Sequence, residues 1–282
     1  MDEIQRFKEE VLKEYPRLKS TDSFSFRCHP GVSCFNACCG DVNIFLTPYD
    51  IIRLKNHLGM SSQDFLSKYT IMPFDKNLTY PVVLLNMNDD DAKSCPFVGE
   101  AGCGVYEDRP WACRMYPLGL ASPGEGSEEA DKEFYFLLGE SVCKGFAEKH
   151  QQTIDEWLAD QGIREYNEQG ELFKQLTTNK FFSNPDNVTP KKMDMFFTVC
   201  YNIDKFRQFV FDTSFLDKFE VEPDVVEKIK DDDVELFKFG CRWLRFSMFG
   251  EKTLRIKENV AAEVQKVLKE REERLSQKAP RK

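Results

Sequence analysis

Eight of the chain's ten cysteines lie between positions 28 and 143, and the first four crowd into twelve positions: Cys28, Cys34, Cys38 and Cys39. Cys95, Cys103, Cys113 and Cys143 follow. A thiolate can act as nucleophile, redox partner or soft metal ligand. A redox pair usually takes the form C-x-x-C at a helix start, and that spacing is absent here. Structural disulfides belong to oxidising compartments. The N-terminal MDEIQRFKEEVLKEY, however, is charged from the outset and lacks the apolar centre of a signal peptide, which predicts a cytosolic protein. Clustered thiols in a reducing compartment point to metal ligation, by zinc or by iron, an iron–sulfur cluster included.

The spacings are C-x5-C-x3-C-C and C-x7-C-x9-C, with Cys143 as a late ligand. Structural zinc modules favour C-x(2–4)-C pairs, a habit that only Cys34 and Cys38 share, which tilts the reading toward iron. Cys34 and Cys38 would face one ion from a single helical turn. Cys39 would then point toward a second ion or the far side of one cluster. Eight thiolates suffice for two four-ligand centres, or for one cluster plus further thiols, and the spacing leaves both open. Arg109 and Arg114 flank Cys113 and are placed either to hydrogen-bond sulfur or to pair with acidic neighbours. His29 adjoins Cys28, as a ligand or as a solvent-facing loop residue. Cys200 and Cys241 sit in the apolar contexts FFTVCYN and FKFGCRW, as expected of small buried hydrophobes. No catalytic fingerprint appears, so catalytic residues stay unassigned.

These ligands need elements to hold them. Apolar spacing predicts a helix over 3–15, and the cysteine segment 28–40 reads as a loop with one helical turn. Residues 42–46 read as a strand. Thr47-Pro48-Tyr49-Asp50 is a helix start, with the helix running to Leu58 and stopping at Gly59, and 62–69 forms a second helix. Residues 81–88 read as a strand, 95–98 and 104–106 as short extended pieces about a glycine-rich turn, and 115–121 with 133–138 as a hairpin. Thr153 to Glu156 is a capping box. Beyond 150 the pattern turns helical: 189–211, one or two helices over 223–249, and a charged helix over 251–276 before a disordered tail. The resulting expectation is an α+β protein, with a cysteine-bearing metal domain over 1–150 and a helical region over 151–282.

Bulk properties narrow the partners. The net charge is −9 and no lysine- or arginine-dense face stands out, so nucleic acid is not expected. No apolar run reaches the ~18 residues of a membrane span. A protein partner could be recruited by the Phe-rich helices of 190–250 if they expose a large apolar face.

The segments CHPGVSCFNACCGDVNIFLTPYDIIRL and CPFVGEAGCGVYEDRPWACRMYPL resemble the YkgJ-type cysteine-cluster family, described as zinc- or iron-chelating. The resemblance is carried by the Cys38-Cys39 doublet and by Cys95, Pro96, Phe97, Cys103, Tyr106, Glu107, Arg109, Pro110, Cys113, Arg114, Tyr116 and Pro117. It covers residues 26–146, and its front run is wider than the family's, with Cys28 the loosest fit. Flagellin lysine-N-methylases look similar across the same motifs. The resemblance therefore implies a metal-binding domain or, alternatively, a cluster-dependent enzyme that modifies protein side chains.

Overall fold

The computed structural model describes residues 15–73, 78–121, 133–139, 141–260 and 262. The predicted helix over 3–15 and the C-terminal tail lie outside these residues, apart from Tyr15. The class is α+β, with five two-stranded antiparallel sheets among the described residues and a helical C-terminal region. The chain forms two compact units. One comprises Met1–Met60, Ser67–Phe74 and Val82–Glu171; the other comprises Ser61–Leu66, Asp75–Pro81 and Leu172–Lys282.

In the first unit, β1 (Ser23–Ser25) runs directly into the first cysteine loop. Thr47 then opens α1 (Pro48–His57) through a reciprocal capping box with Asp50, and Gly59 ends it at φ +61°. α2 (Ser62–Tyr69), whose residues 62–66 fall in the second unit, leads to β2 (Thr70–Ile71), which pairs with β3 (Leu84–Leu85). Residues 42–46 run alongside β3 as extended backbone with a single bridge at Phe45, less than the strand expected. β4 (Val98–Gly99) and β5 (Gly102–Cys103) make the glycine-turn hairpin. α3 (Trp111–Met115) occupies the start of the segment read as hairpin; the hairpin itself is β6 (Leu118–Ala121) with β7 (Phe134–Leu137). β8 (Gln151–Thr153) returns to pair with β1, and Thr153 caps α4 (Ile154–Asp160) before α5 (Ile163–Thr177), which passes into the second unit after Glu171.

Alternation on β1 places Phe24 and Phe26 on one face, where they join Met115, Leu118, Ile154, Leu158 and Ile163 in a core. Trp157 meets both Phe rings edge-on, at 6.3 and 5.4 Å between centroids. Cys143 packs against the same cluster, so this core sits directly beneath part of the cysteine region.

The second unit centres on α10 (Asp233–Phe249), reached through α6 (Pro190–Cys200), α7 (Ile203–Phe211), α8 (Phe215–Lys218) and α9 (Pro223–Asp231). The stretch read as continuous over 189–211 breaks at Tyr201 and Asn202, because the Asn202 side chain takes the Lys205 amide and starts a new helix. A Cβ at Gly240 would lie 2.5 Å from Val199 and 2.9 Å from Phe206, so this glycine lets α10 seat against α6 and α7. Cys200 and Cys241 are buried here, as their contexts predicted. Residues 251–257 are not helical: β9 (Phe219–Glu220) pairs with β10 (Arg255–Ile256), and helical turns begin only at Glu258. Backbone pairing there overrides the charged-helix pattern. Among the described residues of 190–250, Phe209 is the exposed large apolar side chain; the other Phe rings largely fill the unit's interior. No helix of the described residues is long and apolar enough to cross a membrane.

Candidate metal centre

All eight cysteines named from spacing carry free thiols within the first unit, at the surface or half-buried. Cys28 follows Phe26 and Arg27, whose amides bond to the carbonyls of His150 and Gly145 at 2.9 and 3.1 Å. That ladder lays Cys28 beside the 143–145 segment. The Lys144 amide donates to Cys34 Sγ at 3.2 Å, which brings Cys34 to the same segment. The expected α-helical turn from Cys34 to Cys38 is absent. Asn36 adopts a left-handed φ of 67°, followed by a single 3-10 turn over Ala37–Cys39. Polar Asn tolerates that conformation, and the tight loop takes over from helical spacing in presenting the thiols.

The second group is held by a different tie. The Cys95 amide donates to the Cys39 carbonyl at 2.7 Å, and Gly40 bridges to Ser94. A Cβ on Gly40 would stand 2.7 Å from the Ala92 carbonyl oxygen, so close approach of the two loops requires glycine there. Val98 bonds back to Cys95 at 3.1 Å and pairs with Cys103, so one hairpin carries both Cys95 and Cys103. Asn36 also donates to the Gly99 carbonyl at 3.2 Å, joining the first loop to the hairpin.

Cys113 rides on α3, and the residue that fixes α3 is Asp50. Its carboxylate, fully buried, accepts the Trp111 amide at 2.8 Å on one oxygen and the Thr47 amide and hydroxyl at 2.7 and 2.8 Å on the other. The sequence marked Asp50 only as a helix-start residue. The orphan amide that follows Pro110 at the head of a short helix was the available signal for this second role. Burial raises the Asp50 carboxyl to about 6, against the pull of those hydrogen bonds and of the Arg114 charge.

Neither flanking arginine bonds to sulfur. Arg114 donates to the carbonyls of Arg109 (3.0 Å), Gln161 (2.7 Å) and Glu107, and its guanidinium lies over the Tyr166 ring at 4.5 Å. Arg109 donates to the Tyr106 carbonyl and the Gln161 side chain, and covers the Tyr106 ring at 3.7 Å. Both are buried clamps on the 106–111 turn, bonded to carbonyls and an amide where sulfur or acidic partners were expected. α1 grips the same turn: Arg53 and His57 both engage Asp108, the latter at 2.8 Å. Burial would raise the Asp108 carboxyl, but His57 and Arg53 hold it below the usual carboxylate range. His29 is also occupied, its Nδ1 accepting the Gly31 amide at 3.1 Å and its Nε2 lying 3.4 Å from Glu148.

The thiols act on one another. The Cys39 thiol donates to Cys38, lowering Cys38 to about 6 and raising Cys39. Burial raises Cys28, and the charges of Cys38, Cys143 and Cys34 add to it. Cys113 keeps an open face, but protein crowds its sulfur on the other sides; that burial, with Cys95, Asp50 and Cys103, raises it against Arg109. Tyr116, missed as a thiol partner, is raised by burial and by its hydroxyl bond to Cys143. Mutual thiolate repulsion is the cost that a bound cation removes. The donors are all sulfur, the set expected for zinc or iron. Among the described residues no three Cys, His, Asp or Glu side chains stand as a closed ligand set.

Residues 27–155 match the model of the CxxCxxCC family, whose description is "Putative zinc- or iron-chelating domain". The match covers somewhat under half of the chain and takes in all eight clustered cysteines. No curated protein and no solved structure matches the chain.

Proposed function

From residues 27–155 as a zinc- or iron-chelating domain of the CxxCxxCC type, we propose that this is a cytosolic metal-binding protein. Its ligands are the thiolates of Cys28, Cys34, Cys38, Cys39, Cys95, Cys103, Cys113 and Cys143. The observation that supports this reading is that all eight clustered thiols lie in one compact unit, where hydrogen bonds tie the Cys28 and Cys34 loops to the 143–145 segment and Cys39 to Cys95, while the nearby arginines and His29 are engaged elsewhere. Bound metal would be zinc, or iron as an iron–sulfur centre, and its role is to lock loops that have little regular structure of their own.

Anaerobic purification followed by visible absorption, metal and acid-labile sulfide analysis tests the reading. A brown protein with a band near ~400 nm and stoichiometric sulfide identifies an iron–sulfur centre; a colourless protein carrying zinc identifies a zinc–thiolate domain. Cys38→Ser or Cys113→Ser should lower the bound metal, and unchanged stoichiometry in both variants would sink the ligand assignment.

A second reading is a cluster-dependent enzyme acting on protein side chains, such as a lysine N-methylase. It is favoured by the solvent exposure of Cys28, Cys38 and Cys113, which leaves the centre reachable from outside.

A further inference from the structure

We propose that the second unit carries a binding site for a small organic anion, an apolar body bearing a carboxylate, phosphate or sulfonate head. The site is a cleft of about 700 Å³ lined by residues of α8, α9, α10, the β9–β10 pair and the segments next to that pair. Every residue lining it belongs to the second unit, and none is a cysteine.

Four cations line the cleft: Arg242, Lys252, Arg255 and Lys257. Two of them are held by main-chain oxygens. Arg242 donates to the Thr253 carbonyl at 3.4 Å, and the Thr253 hydroxyl donates back to the Arg242 carbonyl at 2.6 Å. Lys257 Nζ donates to the Leu216 carbonyl at 2.9 Å. A carbonyl fixes a cation without cancelling its charge, and the guanidinium and ammonium both keep further donors. Arg255 and Lys257 stand two apart on extended backbone, which turns both toward the same face. The acidic residues of the cleft are Glu220 and Glu222. Glu220 is opposite Arg255 in the β9–β10 register, yet among the described residues no carboxylate forms an ion pair with any of the four cations. Four positive charges against two negative leave the cleft positive, on a chain whose net charge is −9. A concave site with such an excess concentrates anions.

The apolar part of the wall decides what kind of anion fits. Phe219, Val226 and Leu254 line the same cleft as the cations. Leu254 is buried, whereas Phe219 and Val226 are half-buried and keep apolar surface that a ligand would cover. Charge alone would suit an inorganic ion, and an apolar wall alone would suit a neutral molecule. The two together match a ligand with one charged end and one apolar end, in a cleft within the roughly 300–1,000 Å³ usual for small-molecule sites. Lys252 and Arg255 are exposed and make no hydrogen bond or ion pair among the described residues, so they are free to close on the head.

Fluorescence titration of the full-length chain with anilinonaphthalene sulfonate, an apolar body with an anionic head, tests the site. Uncharged anilinonaphthalene and inorganic phosphate each supply one half of that probe. The sulfonate should bind more tightly than either, and bound sulfonate should shield Lys252 from acetylation. The double variant Lys252→Gln, Arg255→Gln removes two exposed, unengaged cations, and an unchanged circular dichroism spectrum and melting midpoint would show that it folds. It should weaken the sulfonate ~10-fold, the sum of two exposed charge contacts, and leave the uncharged probe unaffected. Glu220→Gln should tighten the sulfonate. Equal sulfonate affinity in wild type and double variant, or no binding at all, would overturn the site. Phosphate binding as tightly as the sulfonate would overturn the apolar body, and weaker binding by Glu220→Gln would overturn the anionic head.

Discussion

Asp50 shows how one side chain can set the position of a cysteine on another element. It caps α1 and, across the unit, holds the amide of Trp111 two residues before Cys113. Its carboxyl titrates near 6 when folded, against ~4 in an unfolded chain. Between those values the folded protein binds a proton that the unfolded chain does not, so stability falls as pH rises through the window. The span is worth on the order of 2–3 kcal/mol for a fully buried group. Asp50→Asn removes this slope. Comparing urea midpoints of wild type and variant from pH 4 to 7 should show the wild type losing ground relative to the variant as pH rises. A constant difference would mean that Asp50 titrates normally. The doublet makes a related point: the hydrogen bond between the adjacent thiols lowers Cys38 and raises Cys39.

At the scale of elements, regular structure does little of the positioning, because the cysteine loops carry only short strands and 3-10 turns. Steric permission at glycine takes its place. Gly145→Ala would push a methyl into the Phe26 ring and the Arg27 carbonyl. The ring belongs to the core and the carbonyl to the backbone, so neither yields cheaply. A loss of roughly 1–3 kcal/mol is expected from overpacking of this kind. It should appear as a lower denaturation midpoint together with faster alkylation of Cys143. Unaltered stability would show that the loop absorbs the methyl without moving. The helix cap at Thr47 and the capping box at Thr153 were readable in advance because their chemistry is local: a hydroxyl, an acidic residue within the first turn, and the amides between them.

For the whole molecule, the two compact units are supported in different ways. The second is filled by aromatic side chains, among them Phe196, Phe206, Phe237 and Phe239, all 2% exposed or less. The first has a core at Phe24, Phe26, Met115, Leu118, Ile154, Leu158 and Ile163, but its cysteine segments carry only short regular elements. Metal removal by chelation should therefore strip amide protection from the loops around 28–41 and 92–113, while α6, α7 and α10 keep theirs. Hydrogen exchange with and without chelator measures this directly. Equal protection in both states would mean that the loops hold themselves.

The sequence by itself determined the eight clustered thiols, their separation from the buried pair Cys200 and Cys241, the α+β class, and the helix start at Thr47. Each of these depends on residue type or on spacing within a few positions. Tertiary structure decided which loops meet, that a left-handed Asn36 and a 3-10 turn separate Cys34 from Cys38 in place of an α-helical turn, that Arg109 and Arg114 clamp carbonyls, and that Asp50 carries α3. It also drew residues 255–256 into a strand. These outcomes turn on long-range partners such as Gly145 for Arg27, Cys95 for Cys39 and Phe219 for Ile256. Local spacing does not encode them, because contacts between residues tens of positions apart form only once the chain has closed on its core.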